Sequence, residues 1–476
     1  MIIPSFTFLA FALVVAALFN LSVRWWWRQA VLLAANLYLV ASFAQEWHQL
    51  VPYAGFIALG ALGIGMRKKL GRWTAYALPL VVLLVFVWLK RYLFVPKALL
   101  LPSGYLLVGL SYVFFRVMHL VIDGFESAPG GARGLVSYLN YSLNFTSLVS
   151  GPIQRYEDYQ QSESRVDPLT TAEIRPAAGR IVIGFFKVYI ASAVLYSAQQ
   201  GALATFGHPD AGGGPVLWGA AMMALYPIYL YFNFSGYTDF VIGVAKFFRI
   251  ELPENFDRSF GSENVINFWT RWHISLSQWL KTYVYSPLML MLMRRYPSAG
   301  AERAIAVLAY FVTFFLVGLW HGQTSEFVLF GLLTGGGVAA NKLYQLEMSR
   351  RLGRARYSKL TKQYGYRALS RGLTFGWFAF TLLWFWTGWT QIAAFAHVLG
   401  VTGILQSCCL VLAFFTVGLA VWEKAASFAG SIRLWGEPLG QSKYVRAALL
   451  VEMVAIICFA AIAINSPPSQ IVYKAF

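Results

Sequence analysis

The chain has 476 residues, of which 58% are hydrophobic and only 12% charged, with a formal net charge of +18. A soluble chain of this length needs roughly a quarter of its residues charged to cover its surface, so this composition excludes a soluble multidomain protein and points to one polytopic membrane domain. The cations gather between apolar runs and do not interleave with aromatic residues on one polar face, which excludes a nucleic-acid binder.

The first segment, Met1 to about Val23, carries no charge, and the first cations, Arg24 and Arg28, follow it. A cleaved leader carries positive charge before its apolar core, so a retained first span with its N-terminus outside is expected. Further apolar runs cover about 29–45, 49–66, 73–89, 98–115, 188–207, 211–238, 304–320, 327–341, 372–396, 398–422 and 453–473. A span needs about 20 mostly apolar residues, and the runs predict eleven or twelve spans. Alternation then puts two basic loops in the cytoplasm. One holds Arg67, Lys68, Lys69 and Arg72; the other, 350–371, holds eight Lys or Arg and no acid. This is the positive-inside pattern, and the same charges suit anionic lipid head groups or an acidic soluble partner. Cys408, Cys409 and Cys458 sit in apolar runs, without zinc or disulfide spacing.

Two segments break the pattern. In 123–176 an apolar middle, Leu135 to Ile153, is studded with Asn140, Asn144, Thr146 and Ser150. In 246–298 a polar loop leads into a stretch where Trp269, Trp272, Leu276 and Trp279 recur at helical spacing. Ser262 or Asn264 is placed to cap that helix. It is too polar to face lipid, so an interfacial or re-entrant helix sheltered by other spans is expected. The fold class is therefore all-α: a single polytopic domain over 1–476, with a motif-bearing core at about 103–345.

An ionisable side chain beside or within an apolar run is a functional hypothesis by default. His321, flanked by Trp320 and Gly322, ends one such run. It reads either as an interfacial anchor or as a general base that takes a proton from an acceptor hydroxyl, since imidazole titrates near working pH. Gly322 would let a substrate approach the backbone. His273 lies one helical turn before Ser277 and reads either as a satisfied buried histidine or as a donor to an acyl carbonyl. Arg271 and Lys281 suit phosphate, or simply a solvated face. In the run from Asn233 to Asp239, Asn233 and Asp239 are costly in hydrocarbon. Asp239 is the expected partner of a histidine or an arginine. His119 and Asp123 are set aside, and His48, His208 and His397, near the ends of expected spans, read as interfacial.

The motifs Ser150-Gly-Pro-Ile-Gln-Arg-Tyr156, Phe232-Asn-Phe-Ser-Gly-Tyr-Thr-Asp239, Leu252-Pro-Glu-Asn-Phe256, Phe268-Trp-Thr-Arg-Trp-His-Ile-Ser-Leu-Ser277 and Gly318-Leu-Trp-His-Gly322 occur in that order. With them the chain resembles the bacterial branch of the membrane-bound O-acyltransferase family, whose members acetylate alginate or pass D-alanine to teichoic acid. The tail Ile471–Phe476 is loosely similar to the aromatic tail of the D-alanyl branch. The resemblance implies helices around a central tunnel, His321 as the essential histidine and His273 as a second recurrent one. It implies no bound cofactor. An acyl thioester donor, acetyl-CoA or an acyl carrier, would enter from the cytoplasm. The acceptor would be an exported polysaccharide or a periplasmic relay protein, at a bacterial inner membrane. Trp320 and Trp272 would wall the tunnel, with Asp239, Asn233, Arg271 and Ser277 around the substrate. A transporter or flippase is the competing class, and its usual internal repeat is missing from this sequence.

Overall fold

Backbone amides in hydrocarbon must be satisfied inside the protein, and long continuous apolar runs do this as helices. In the computed structural model of the chain the described residues are 2–70, 74–101, 104–123, 131–208, 212–298, 300–434, 437–438 and 442–464. Arg72, Glu126 and the tail Ile471–Phe476 lie outside them, as does the end of the last apolar run. The described residues divide into two compact units, one of 2–188 and 234–254, the other of 189–233 and 255–464.

The first unit opens with α1 (Phe6–Asn20), capped by Ser5, whose Oγ accepts the Phe8 N–H at 3.0 Å. It continues through α2 (Trp25–Ala41), α3 (Val51–Leu70), α4 (Thr74–Leu89), α5 (Leu110–Asp123), α6 (Gly131–Ser142), α7 (Tyr156–Glu163) and α8 (Thr171–Phe186). The expected span at 98–115 is interrupted. Gly109 takes a left-handed φ of 76° with the Leu148 carbonyl against it, a place where any Cβ would clash, and α5 starts only at Leu110. Rings of Phe8, Phe145, Phe240 and Phe248 interlock at 5.1–6.2 Å in the core of this unit. Arg116 is buried there, and its guanidinium donates to the carbonyls of Tyr141, Ser142 and Ser147. A buried charge survives only when its donors are all engaged, and here they fix the loop that leads to Ser150.

After α8 a π-helical turn, Lys187–Ala191, leads to α9 (Ser192–Phe206). The long α10 (Gly214–Lys246) follows and is divided between the units at residue 233. The second unit then holds α11 (Val265–Trp269), α12 (Ile274–Leu280), α13 (Ser286–Arg295), α14 (Ala301–His321), α15 (Ser325–Leu352), α16 (Arg354–Thr361), α17 (Tyr364–Thr381), α18 (Leu383–Trp386), α19 (Trp389–Ser431) and α20 (Lys443–Ile464). Gly400, at φ 60° and ψ 179°, breaks α19 close to the gap between two of the expected runs. A short hairpin, β1 (Arg433–Leu434) antiparallel to β2 (Glu437–Pro438), precedes α20.

Seven helices among the described residues are long and apolar enough to cross a membrane, and two shorter apolar helices accompany them. The protein is an all-α, multi-pass membrane protein. The eleven or twelve spans expected from apolar runs exceed these nine because charged or interrupted segments such as α2 and 98–115 do not qualify. The basic segment 350–371 is also not a loop, for it forms the end of α15, all of α16 and the start of α17.

Candidate active site

In the second unit Trp320 stands between two imidazoles. Its indole meets His273 edge-on at 6.1 Å and 71°, and His321 at 4.7 Å and 61°. His321 is the last residue of α14, is 3% exposed, and has Phe385 at 5.1 Å and Phe330 at 5.9 Å as its other ring neighbours. The space over Gly322, expected for a substrate, belongs instead to the Phe327 ring, which leaves no room for a Cβ.

His273 reaches this place through an unusual backbone. The tryptophan spacing suggests one continuous helix. The segment instead forms α11 and α12, joined by a turn in which His273 is left-handed at φ 47°. Such a φ is uncommon outside glycine and persists only where the surroundings impose it. Here Asn255 imposes it. The Asn255 side-chain oxygen accepts the Ser275 N–H at 3.0 Å and its hydroxyl at 2.6 Å, and its carbonyl accepts the Ile274 N–H at 3.0 Å. Phe256 pairs with Trp272 as an antiparallel bridge, and the Arg271 carbonyl accepts from Asp257 N–H and Ser259 Oγ. Asn255 stands inside one of the sequence motifs. Its role was hidden, because its partners are 19 and more positions away. At the start of the segment Asn264 is the cap, accepting the Asn267 N–H at 2.9 Å.

Trp272 is enclosed by the rings of Phe256, Phe268 and Phe378 at 5.1–5.3 Å, which makes it the packing centre beneath His273. Ser277 N–H donates to the His273 carbonyl at 3.1 Å, so the two lie one turn apart as expected. The Arg271 guanidinium is 31% exposed and 4.0 Å from Asp257. Asn233 is fully buried at the end of its stretch of the second unit. Asp239 belongs to the first unit, where it takes the arginine partner. Arg180 Nε lies 3.0 Å from one carboxylate oxygen and Lys187 Nζ 2.6 Å from the other, while Arg180 also grips Glu254. The π-helical turn swings Lys187 onto that carboxylate, a placement no regular helical spacing reveals. Ser150 N–H donates to the Tyr237 hydroxyl at 3.1 Å, so two further motifs meet inside the first unit. His119 accepts the Tyr156 N–H and lies 3.2 Å from Asp123, a structural role. His48, His208 and His397 are exposed.

Residues 124–351, which hold all five motifs, match the model of the membrane-bound O-acyltransferase family. The chain carries a membrane-bound O-acyltransferase domain. A Bacillus subtilis protein named teichoic acid D-alanyltransferase is 31% identical over 229 residues, 47% of this chain and 56% of its own. A Pseudomonas syringae pv. tomato protein named probable alginate O-acetylase is 30% identical over 284 residues, 57% of this chain and 48% of its own. A Helicobacter pylori protein named peptidoglycan O-acetyltransferase is 31% identical over 224 residues, 45% and 40% of the two chains. The matches span about half the length of these relatives. The His273–Trp320–His321 triplet lies inside the O-acyltransferase domain.

Burial lowers the His273 pKa from the ordinary 6.5 to about 3, because the charged ring is denied solvation. Neutral imidazole keeps one N–H, so the His273 ring is uncharged at neutral pH and still carries a donor. The unfolded chain takes up a proton below about pH 6.5 and the folded chain only near pH 3. Between those values the unfolded state holds more protons, and stability falls as pH falls, by about 1.4 kcal/mol per unit. His273→Gln should flatten the loss of melting temperature between pH 6.5 and 4.5. A variant that loses as much as the wild type over that range would show that His273 is not buried neutral.

Proposed function

We propose that this protein is a membrane O-acyltransferase that moves an acyl group, acetyl in the first instance, from a cytoplasmic thioester to a hydroxyl of an exported polysaccharide or of a periplasmic relay protein. It would act in a bacterial inner membrane. The observation that carries the reading is the shared Trp320 contact, which brings two buried imidazoles to one point of the O-acyltransferase domain.

His321 takes the acceptor O–H proton as general base. Its place at the carbonyl end of α14 favours the positive charge that the ring then carries. The freed oxygen attacks the thioester carbonyl, and the neutral His273 N–H supports the oxyanion that forms. The new C–O bond closes, the C–S bond breaks, and the thiolate leaves with the proton from His321. Trp320 limits water, which would otherwise hydrolyse the donor.

The second reading, D-alanyl transfer from a carrier protein, is favoured by the Bacillus subtilis relative, 31% identical against 30% and 31% for the two relatives named for acetylation. Purified protein in liposomes, supplied in turn with acetyl-CoA and a D-alanyl carrier, separates the two. Loss of acetyl thioester coupled to a soluble hydroxyl acceptor supports acetylation, and activity with the D-alanyl carrier alone supports the second. Flux of a polysaccharide fragment without thioester consumption would defeat both and leave a transporter.

A further inference from the structure

Helices α15 and α17 of the second unit enclose a cavity of about 610 Å³ that the proposed chemistry does not use. Leu332, Leu333, Leu373 and Trp377 line its apolar end. At its other end are Tyr344 and Gln345, at the C-terminal side of α15, with Tyr366 and Arg367 at the start of α17. The long face of α15 from Leu332 to Gln345 runs about 20 Å at 1.5 Å per residue, so the cavity is elongated and graded from apolar to polar.

Glycine makes the space. A Cβ on Gly337 would land 2.2 Å from the Trp377 indole nitrogen, whereas a Cβ on Gly336 would meet nothing within 4 Å. That nitrogen is buried and has no acceptor among the described residues. The rim includes Leu332, Leu369 and Leu373, each 44–53% exposed, so the apolar end borders what surrounds the helices.

Charge marks the polar end. Tyr357 and Thr361, one turn apart on α16, line the cavity. The same short helix and the residue after it expose Arg354, Arg356, Lys359 and Lys362. None of these four has an ion pair among the described residues. Their neighbours are already neutralised: Arg350 and Arg351 pair with Glu347, Arg371 with Glu423, and Arg367 with both Glu423 and Glu263, the carboxylate that lines the cavity. Unpaired cations on and just after the short helix that brings Tyr357 and Thr361 to the cavity fit an amphiphile with an anionic head.

We propose that this cavity binds one acidic phospholipid, its chain lying over Gly336 towards Trp377 and its head group against the α16 cations. The proposal does not rest on the catalytic reading of His321, and its test reads binding and not turnover. Full-length protein in mild detergent is mixed with equal amounts of dioleoylphosphatidylglycerol and dioleoylphosphatidylcholine, and retained lipids are counted by native mass spectrometry. The expected first adduct is the acidic lipid, preferred by about fivefold for each engaged cation. Gly336→Leu should remove that adduct by filling the slot. Replacing Arg354, Arg356, Lys359 and Lys362 with glutamine should keep a bound lipid but bring the preference near parity. These four are exposed, so this variant decides the matter even where Gly336→Leu folds poorly. Equal retention of both lipids by the wild type would overturn the proposal. So would an unchanged adduct in folded Gly336→Leu, or displacement of the lipid by acetyl-CoA, which would give the cavity to the thioester donor.

Discussion

Replacing His321 with alanine should cut acyl transfer by roughly 10²–10⁴-fold, the usual contribution of a positioned general base, in protein that still inserts. The ring is 3% exposed and boxed in by Trp320, Phe330 and Phe385, so alanine also leaves a hole among aromatic side chains. His321→Gln separates the two effects. Glutamine fills much of the volume but takes up no proton at neutral pH. A base predicts equal losses from alanine and glutamine; a packing role predicts recovery with glutamine. Assay of thioester consumption by both variants, at matched amounts of folded protein, decides it. Normal transfer by His321→Gln would remove His321 from the chemistry. At His273 the two variants should differ: glutamine retains an N–H donor and should keep more activity than alanine, because the proposed role there is donation by a neutral ring.

The helical class was legible because composition required lipid and the long apolar runs suit spanning helices and not the alternating pattern of a barrel. The place of Trp320 and His321 at the end of an apolar run was legible too, and they close α14. Tertiary causes hid the rest. Trp269, Trp272, Leu276 and Trp279 keep helical spacing across a chain that is not one helix there, because Asn255 holds Ile274 and Ser275 from outside the segment. Asp239 announced an arginine or histidine partner, but a π-helical turn brought Lys187 as well. Gly322 advertised room for a substrate, yet Phe327 fills it. A glycine in sequence says that something comes close to the backbone without saying what.

Gly318 illustrates the same point with a larger effect. It lies one turn before His321 on α14, and a Cβ there would sit 2.1 Å from the Gly331 Cα on α15. On the facing helix Gly331 and Gly335, four apart, lie against the carbonyls of Phe315 and Phe311. Small residues at this spacing let two membrane helices touch backbone to backbone. Overpacking a core usually costs about 1–3 kcal/mol and more where nothing can shift. Here the obstacle is main chain and not the tip of a flexible side chain. Gly318→Val should therefore cost about 3 kcal/mol or more, lower the melting temperature sharply and abolish transfer, because prying α14 from α15 pulls His321 off Phe330. Gly336→Ala, on the same helix pair but facing open space, should melt like the wild type. If Gly318→Val melted with Gly336→Ala, the close crossing that places His321 would not exist.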